Sequence, residues 1–457
     1  MRGPIYSTAD IRRIEQAAGD APLMQRAGAA AAGLAARLVS GKDVLVLAGP
    51  GNNGGDARIA AESLKEKFFR VTLADKQVPP TKEWGLVIDG LFGIGLTRPI
   101  EGEHAKLVEY ANRQTCPVLA LDVPSGIQSD SGRVLGCAVR ASHTISFIAL
   151  KPGLLTLDGP DYCGEVTVAD LGLDLQKLLP PSAWVAEPGL FKGMLERRPR
   201  NFHKGMAGSL AIVGGAGGMT GAALLAGRAA LKLGAGRVYV GLLAEDAPVV
   251  DLLAPELMLR HPDDVFGEDL DAIVVGPGLG RGERAETLVG AALASDIPCI
   301  LDADALNLLS ENEILRKACA RRTAETLITP HPAEAARLLG STVATVQEDR
   351  VRAARMLCEN LNAHTVLKGN GSVLVARDGH WFINASGNPG MASAGMGDVL
   401  AGMLGALLAQ RYSGETALAL GVHLHGAAAD AVGGLVGLTA SELIDPSRKI
   451  WNSWLRS

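Results

Sequence analysis

The chain has few cysteines and no spacing that would pair them. Cys116, Cys137, Cys163, Cys299, Cys319 and Cys358 form no C-x-x-C and no Cys/His repeat, which argues against a structural zinc or a disulfide framework. Long basic runs are missing and the net charge is −5, so nucleic acid and anionic membrane surfaces are poor candidates for the main partner. The Ala-rich run over 27–36 is too short to span a bilayer and stops at Arg37, and the first ten residues lack a basic-then-apolar signal. A reducing cytoplasm and small-molecule ligands are therefore expected. The first glycine loop fits neither G-x-G-x-x-G nor G-x-x-x-x-G-K-[ST], so the familiar dinucleotide and P-loop fingerprints do not explain it.

Glycine is what the chain has in excess: 56 of 457 residues, against an average of about 7%. With no G-X-Y period, these glycines read as loops built for close backbone approach, and phosphate-rich ligands are one reason to need them. The length predicts two or three domains. Ser7 or Thr8 caps a predicted helix carrying Ile11 and Ile14, and a second helix is predicted over 21–38. A buried strand over 43–48 runs into Gly49-Pro-Gly-Asn-Asn-Gly-Gly-Asp56, followed by a predicted helix over 57–67. Strand, glycine turn and helix make the layout of a phosphate-binding βα unit. Asn52, Asn53 and Asp56 add polar atoms for a cation, ribose or phosphate.

Two further strands end at Asp89 and Asp122. They open into Gly90-Leu-Phe-Gly93-Ile-Gly95-Leu-Thr-Arg98-Pro99 and Val123-Pro-Ser125-Gly126, and a last strand is predicted over 166–173. In an open parallel sheet the carboxyl ends of the strands form the ligand crevice, which gathers Asn53, Asp89, Asp122 and Ser125 at one edge. Singly, each aspartate reads as a cap or turn residue.

Prolines and charges over 178–200 mark a linker, with the domain boundary placed at Leu195, giving domains 1–195 and 196–457. Beyond it, short apolar strands alternate with helices and end in Gly214-Gly-Ala-Gly-Gly-Met-Thr-Gly221, Gly276-Pro-Gly-Leu-Gly280, Asp302-Ala-Asp304 and Pro330-His331-Pro332-Ala-Glu334. A mostly parallel sheet covered on both faces is expected. Lys368-Gly-Asn-Gly-Ser372 leads into a predicted hairpin through Arg377-Asp-Gly379 and then to Gly395-Met-Gly397-Asp398 at the start of an apolar helix. Glycines at a helix N-terminus hold an anion, and Asp398 in the first turn would take a proton from a substrate hydroxyl facing the same space. His423 and His425 are two positions apart on a helix and read as core.

GPGNNGGD, VIDGLFGIGLTR and LDVPSG, in this order, resemble the NAD(P)H-hydrate epimerase domain, as does Leu23-Met-Gln-Arg-Ala-Gly28, with Gln25 where that family has Glu and Ala57 where it usually has Gly. The resemblance implies a Rossmann-like α/β/α sandwich and a potassium ion held by Asn53, Asp89 and Ser125. It also implies substrate contacts from Asn52, Asn53, Gly54, Gly55 and Asp56, from Gly93, Ile94, Gly95, Leu96, Thr97, Arg98 and Pro99, and from Asp122, the expected acid/base group.

HKGMAGSLAIVGG, VVGPGLG, LDADALNLL, ITPHPAEAARLL, VLKGNGSV and GMASAGMGDVLAGML resemble the ADP/ATP-dependent NAD(P)H-hydrate dehydratases of the ribokinase-like superfamily. Ser372 replaces the usual Thr, and Ala394 a Gly. This second resemblance implies a ribokinase-like α/β domain using ADP and Mg2+. Lys368, Gly369, Asn370, Gly371, Ser372 and Gly397 would contact the nucleotide. Ala222, Gly278, His331 and Asp398 would contact the hydrate, with Asp398 as catalytic base.

Together the resemblances imply a repair enzyme that epimerises hydrated NADH or NADPH and dehydrates one epimer. An ATP-dependent kinase of a small hydroxymethyl compound shares the C-terminal loop pattern, and a non-enzymatic nucleotide-binding first half is a weaker alternative. A homo-oligomer is expected from the apolar N-terminal helices.

Overall fold

Asp43–Ala48 (β1) has five consecutive buried residues, the pattern of a strand covered on both faces. The computed structural model describes residues 3–80, 82–195 and 197–455. Of the segments named above, Met1 and Arg2 at the chain start and Glu196 in the linker lie outside the described residues. The chain divides into two compact units, Met1–Val185 and Ala186–Ser457.

In the first unit β1 is joined by β2 (Arg70–Ala74), β3 (Leu86–Gly90), β4 (Val118–Leu121), β5 (His143–Phe147) and β6 (Glu165–Ala169). They form a parallel sheet in the order β2-β1-β3-β4-β5-β6. β6 is shorter than the last strand predicted over 166–173. A short strand, β7 (Ala183–Val185), ends the unit, with Trp184 bridged to Pro4. Side chains alternate across the sheet. Val44, Val46, Leu86 and Ile88 join one core with helices α1 (Thr8–Ala17), α2 (Leu23–Leu38) and α3 (Asn52–Glu66), while Leu45, Leu47 and Val87 join another with Leu107 and Val108 of α4 (Gly102–Asn112). Strand order reverses between β1 and β3, and the crevice of such a sheet opens there, outside the carboxyl ends.

Helix α3 starts at Asn52 rather than at the predicted Ala57. The glycines explain the difference. A Cβ on Gly54 would stand 1.9 Å from the Gly49 carbonyl oxygen, and one on Gly55 would stand 2.9 Å from Met24 Sδ. They let the first helical turn press against the loop and α2, a packing need that reads in sequence as a turn.

The second unit's strands are β8 (Ser209–Gly214), β9 (Arg237–Leu242), β10 (Met258–Arg260), β11 (Ala272–Val275), β12 (Cys299–Leu301), β13 (Thr326–Ile328), β14 (His364–Leu367), β15 (Ser372–Val375) and β16 (Trp381–Asn384). They run in the order β10-β9-β8-β11-β12-β13-β14-β15-β16, parallel as far as β14 and antiparallel through the predicted hairpin β15–β16. The direction of the order changes between β8 and β11.

Helix Met396–Ala409 has twelve of its fourteen residues buried, so its N-terminal turn is held from behind. A Cβ on Gly402 would lie 2.0 Å from the Ala226 carbonyl of helix Thr220–Lys232, which puts the two backbones in contact. Both units are thus α/β, as predicted. Among the described residues no helix is long and apolar enough to cross a membrane.

Candidate active sites

A cavity of about 610 Å³ opens at the β1/β3 crevice, lined among others by Glu15, Asn52, Asn53, Asp56, Gly93 and Asp122. Gly93 is its cradle: a Cβ there would lie 3.2 Å from both Asn53 Cγ and Asp122 Oδ2. Asn53 is 7% exposed, and its Oδ1 and Nδ2 have no hydrogen-bond partner among the described residues. Leaving a buried polar group unsatisfied costs about 1–3 kcal/mol, an expense that a ligand would remove.

Asp89 is fully buried. Ser125 donates to it twice, from Oγ to Oδ1 at 2.6 Å and from N to Oδ2 at 2.8 Å. Burial lifts the Asp89 carboxyl to about 6 against the pull of those hydrogen bonds. Asp122 adopts a left-handed backbone, φ +66°. Its Oδ1 is ion-paired with Lys151, and its Oδ2 accepts from Ile94 N at 3.4 Å. Burial, then the charges of Asp122 and Glu15, raise Asp56 to about 7. Ile94, Gly95 and Leu96 also line the cavity, whereas Thr97, Arg98 and Pro99 are exposed and outside the lining. Gly54 and Gly55 face Gly49 and Met24 instead.

In the second unit, Lys368 at the end of β14 points across the sheet edge. Its Nζ donates to Asp302 Oδ1 at 3.0 Å, an oxygen that also accepts from Thr329 Oγ1 at 2.6 Å. A Cβ on Gly397 would stand 3.3 Å from Lys368 Nζ and 3.6 Å from Asp302 Oδ2. Asp398 is on the same turn, its carboxyl lifted to about 6 by burial and then by Asp302, with Lys368 pulling the other way. Burial by itself would lower the Lys368 ammonium, but Asp302 and Glu334 outweigh it and hold its pKa above the ordinary value. Gly395 takes φ +85°, which frees the turn for the helix N-terminus.

Gly278 meets Ala222, whose Cβ would be 3.1 Å from a Cβ on the glycine. His331 caps helix Pro332–Leu338: Nδ1 accepts from Ala333 N at 3.1 Å and Glu334 N at 3.4 Å, while Glu334 Oε2 accepts from His331 N at 2.8 Å. Burial, then Lys368, lower the His331 pKa. Ser372 Oγ ties its own turn, donating to Gly369 O at 3.0 Å. Gly369 and Asn370 are exposed and Gly371 is buried beside them. His425 is buried beside this cluster, its imidazole pushed down to about 4 by burial and then by the Lys368 charge, while His423 stacks on Trp454.

The family model for NAD(P)H-hydrate dehydratase matches residues 210–446, and that for the YjeF-related protein N-terminus matches 20–84 and 73–153. A bifunctional NAD(P)H-hydrate repair enzyme Nnr of Coxiella burnetii is 36% identical, over 98% of this chain and 99% of its own. Its namesake in Escherichia coli is also 36% identical, over 98% and 94%. The chain belongs to the bifunctional NAD(P)H-hydrate repair enzyme family. A solved ADP/ATP-dependent NAD(P)H-hydrate dehydratase from Bacillus subtilis, co-crystallised with ATP and Mg2+, matches 59% of the chain and 98% of its own length at 30% identity, with TM-score 0.52.

Family membership leaves three neighbours of these sites unread from the sequence. Lys151, 0% exposed, stands against Asp122. Asp302 joins Lys368 to Thr329. Arg350, 1% exposed, donates to the carbonyls of Leu367 and Lys368, each at 3.2 Å, beneath the Gly369 turn. The available signal was a charged residue in an apolar segment, as with Lys151 between Ile148-Ala-Leu150 and Pro152-Gly-Leu154.

Proposed function

We propose that this chain repairs hydrated NADH and NADPH at two sites: the first unit interconverts the R and S hydrates, and the second dehydrates the S form at the expense of ADP, yielding NAD(P)H, AMP and phosphate. The observation that carries the reading is a cavity in the first unit and a glycine turn at a buried helix start in the second, each beside an aspartate, in a chain of this family.

The groups proposed to hold a cation at the first site all offer oxygen: the Asn53 amide, the Asp89 carboxylate and the Ser125 hydroxyl. That set suits a hard cation such as potassium, and the unpartnered Asn53 amide fits the same role. Bound there, potassium would supply a fixed positive charge beside the substrate's phosphate. Asp122 transfers the proton. In its acid form it gives its proton to the departing hydroxyl of the carbon next to the ring nitrogen, which leaves as water; the resulting carboxylate, paired with Lys151, then takes a proton from the water that adds to the other face, so the acid form is restored and no net proton or electron is consumed. Asn52, Asp56 and the 93–96 loop hold the hydrate in the cavity.

At the second site Asp398 takes the proton of the ring hydroxyl as its oxygen attacks the terminal phosphoryl of ADP. AMP leaves. The 395–397 amides and Lys368 stabilise the charge on the moving phosphoryl group, and one such donor is worth roughly 2.7–4 kcal/mol. The ring nitrogen's electron pair then expels phosphate, and loss of a proton from the neighbouring carbon restores the double bond. Magnesium keeps several waters and needs only one or two carboxylates plus phosphate oxygens, which Asp302 and Asp304 would provide; bound there, it would neutralise phosphate charge. Lys368, Gly369, Asn370, Gly371, Ser372 and Gly397 hold the nucleotide, and Ala222, Gly278 and His331 the hydrate.

The test is recovery of the reduced-nicotinamide absorbance from hydrated NADH with ADP, Mg2+ and K+. Full recovery from mixed epimers is expected. No recovery, with phosphorylation of another small alcohol, would overturn the reading.

A further inference from the structure

We propose that Lys151 is the positioning residue for Asp122 in epimerisation, an inference that rests on the epimerase reading of the first site. Lys151 follows β5 and precedes the turn Pro152–Leu154. Its side chain is wholly buried, and all three ammonium hydrogens have acceptors: Asp122 Oδ1, Ser146 Oγ at 3.0 Å and Phe147 O at 2.7 Å. Burying an ammonium is unfavourable unless it is paired and fully hydrogen-bonded, and this one meets both conditions only with Asp122 in its observed orientation.

The geometry divides the two oxygens of Asp122. One is held by Lys151, while the other lies over the Gly93 cradle, within reach of Ile94 N, where the cavity begins. The left-handed backbone of Asp122 directs the side chain to this place, but it leaves the carboxylate free to rotate about its own bond. The Lys151 contact removes that freedom. Glu15 and Asp56 put two further carboxyl groups beside the same cavity, and Lys151 is the cation in direct contact with Asp122. Without it, Asp122 would face those carboxyl groups with only the long contact from Ile94 N, 3.4 Å, to orient it. Lys151 has no hydrogen left for a substrate atom, so it acts through Asp122.

The test is steady-state epimerisation of hydrated NADH by the full chain in four forms: wild type, Lys151→Met, Asp122→Asn and the double variant, with Lys151→Arg as the conservative control. Dehydration of pure S hydrate is measured in parallel. Lys151→Met is expected to lower kcat by about a hundredfold and to move KM by less than about threefold. Lys151→Arg is expected to recover at least a tenth of the wild-type kcat. In the Asp122→Asn background, Lys151→Met should change kcat by less than about twofold, because the group it positions is already gone. A folded Lys151→Met enzyme with wild-type kcat, or single-variant losses that multiply in the double variant, would overturn the proposal. If Lys151→Met does not fold, Ser146→Ala removes one acceptor and keeps the pair: a several-fold loss of kcat is expected, and no loss overturns the proposal. Full epimerisation by Asp122→Asn would instead refute the epimerase reading itself.

Discussion

The first unit pairs its central carboxylate with a buried lysine and keeps amides around it, whereas the second surrounds one lysine with Asp302, Glu334 and Asp398 at the start of a buried helix. Both sites stand at the carboxyl ends of parallel strands, and both use glycine to bring backbone close to polar side chains, Gly93 to Asn53 and Asp122 and Gly397 to Lys368 and Asp302. What differs is where charge must move. Epimerisation returns the same proton count, so fixed charges and a movable proton are enough. Phosphoryl transfer shifts negative charge between oxygens, so the second site offers helix amides and an ammonium along the path.

The largest effect should come from removing the second base. Asp398→Ala should cut dehydration by a hundredfold or more while leaving epimerisation intact, as read by absorbance recovery and by chromatography of the epimers. Gly402→Leu attacks the helix behind that base. With Ala226 O only 2.0 Å from the new Cβ, the second unit should lose at least about 1–3 kcal/mol, seen as a lower midpoint in urea unfolding. A denaturation midpoint equal to wild type would mean that the helix pair can separate at little cost.

Asn53→Leu probes the first unit. It removes an unpartnered amide, so without potassium the protein should gain about 1 kcal/mol of stability, while the potassium needed for half-maximal epimerisation rises about tenfold. Unchanged potassium dependence would remove Asn53 from the cation site.

The smallest effect is in pH. As the proposed base Asp398 must be ionised, and burial followed by Asp302 lifts its carboxyl to about 6, so dehydration should fall as pH drops below about 6. For stability the sign is opposite: a raised carboxyl pKa favours the protonated folded form, so this group's contribution is present at low pH and lost as pH rises through about 6. Loss of dehydration at pH 5 with a melting temperature no lower than at pH 7 would separate titration of the base from unfolding. Flat activity between pH 5 and 7 would assign the base elsewhere.

Much of this was readable from strand ends. β1, β3 and β4 run into polar glycine loops, and Asp398 opens an apolar helix, because alternation, capping and glycine turns are local patterns. Two things were not readable. Gly54 and Gly55 looked like a turn and proved to be the first turn of α3, since the reason for them is an approach to Gly49 and Met24. Lys151 and Arg350 had no local signature, and Asp302 read as a strand end without its partner: Lys151 meets Asp122 across 29 positions, and Lys368 meets Asp302 across 66. Such partners follow from which strands become neighbours, a matter of topology that no short motif records.

The proposed function requires two sites in one chain that act independently on the same damaged cofactor. The direct test follows R-hydrated NADH, supplied alone with ADP, Mg2+ and K+, in Asp122→Asn and Asp398→Ala enzymes. The two-site reading expects Asp398→Ala to make the S hydrate without NADH, and Asp122→Asn to leave the R hydrate untouched while still dehydrating added S hydrate. Loss of both activities in either folded variant would contradict it.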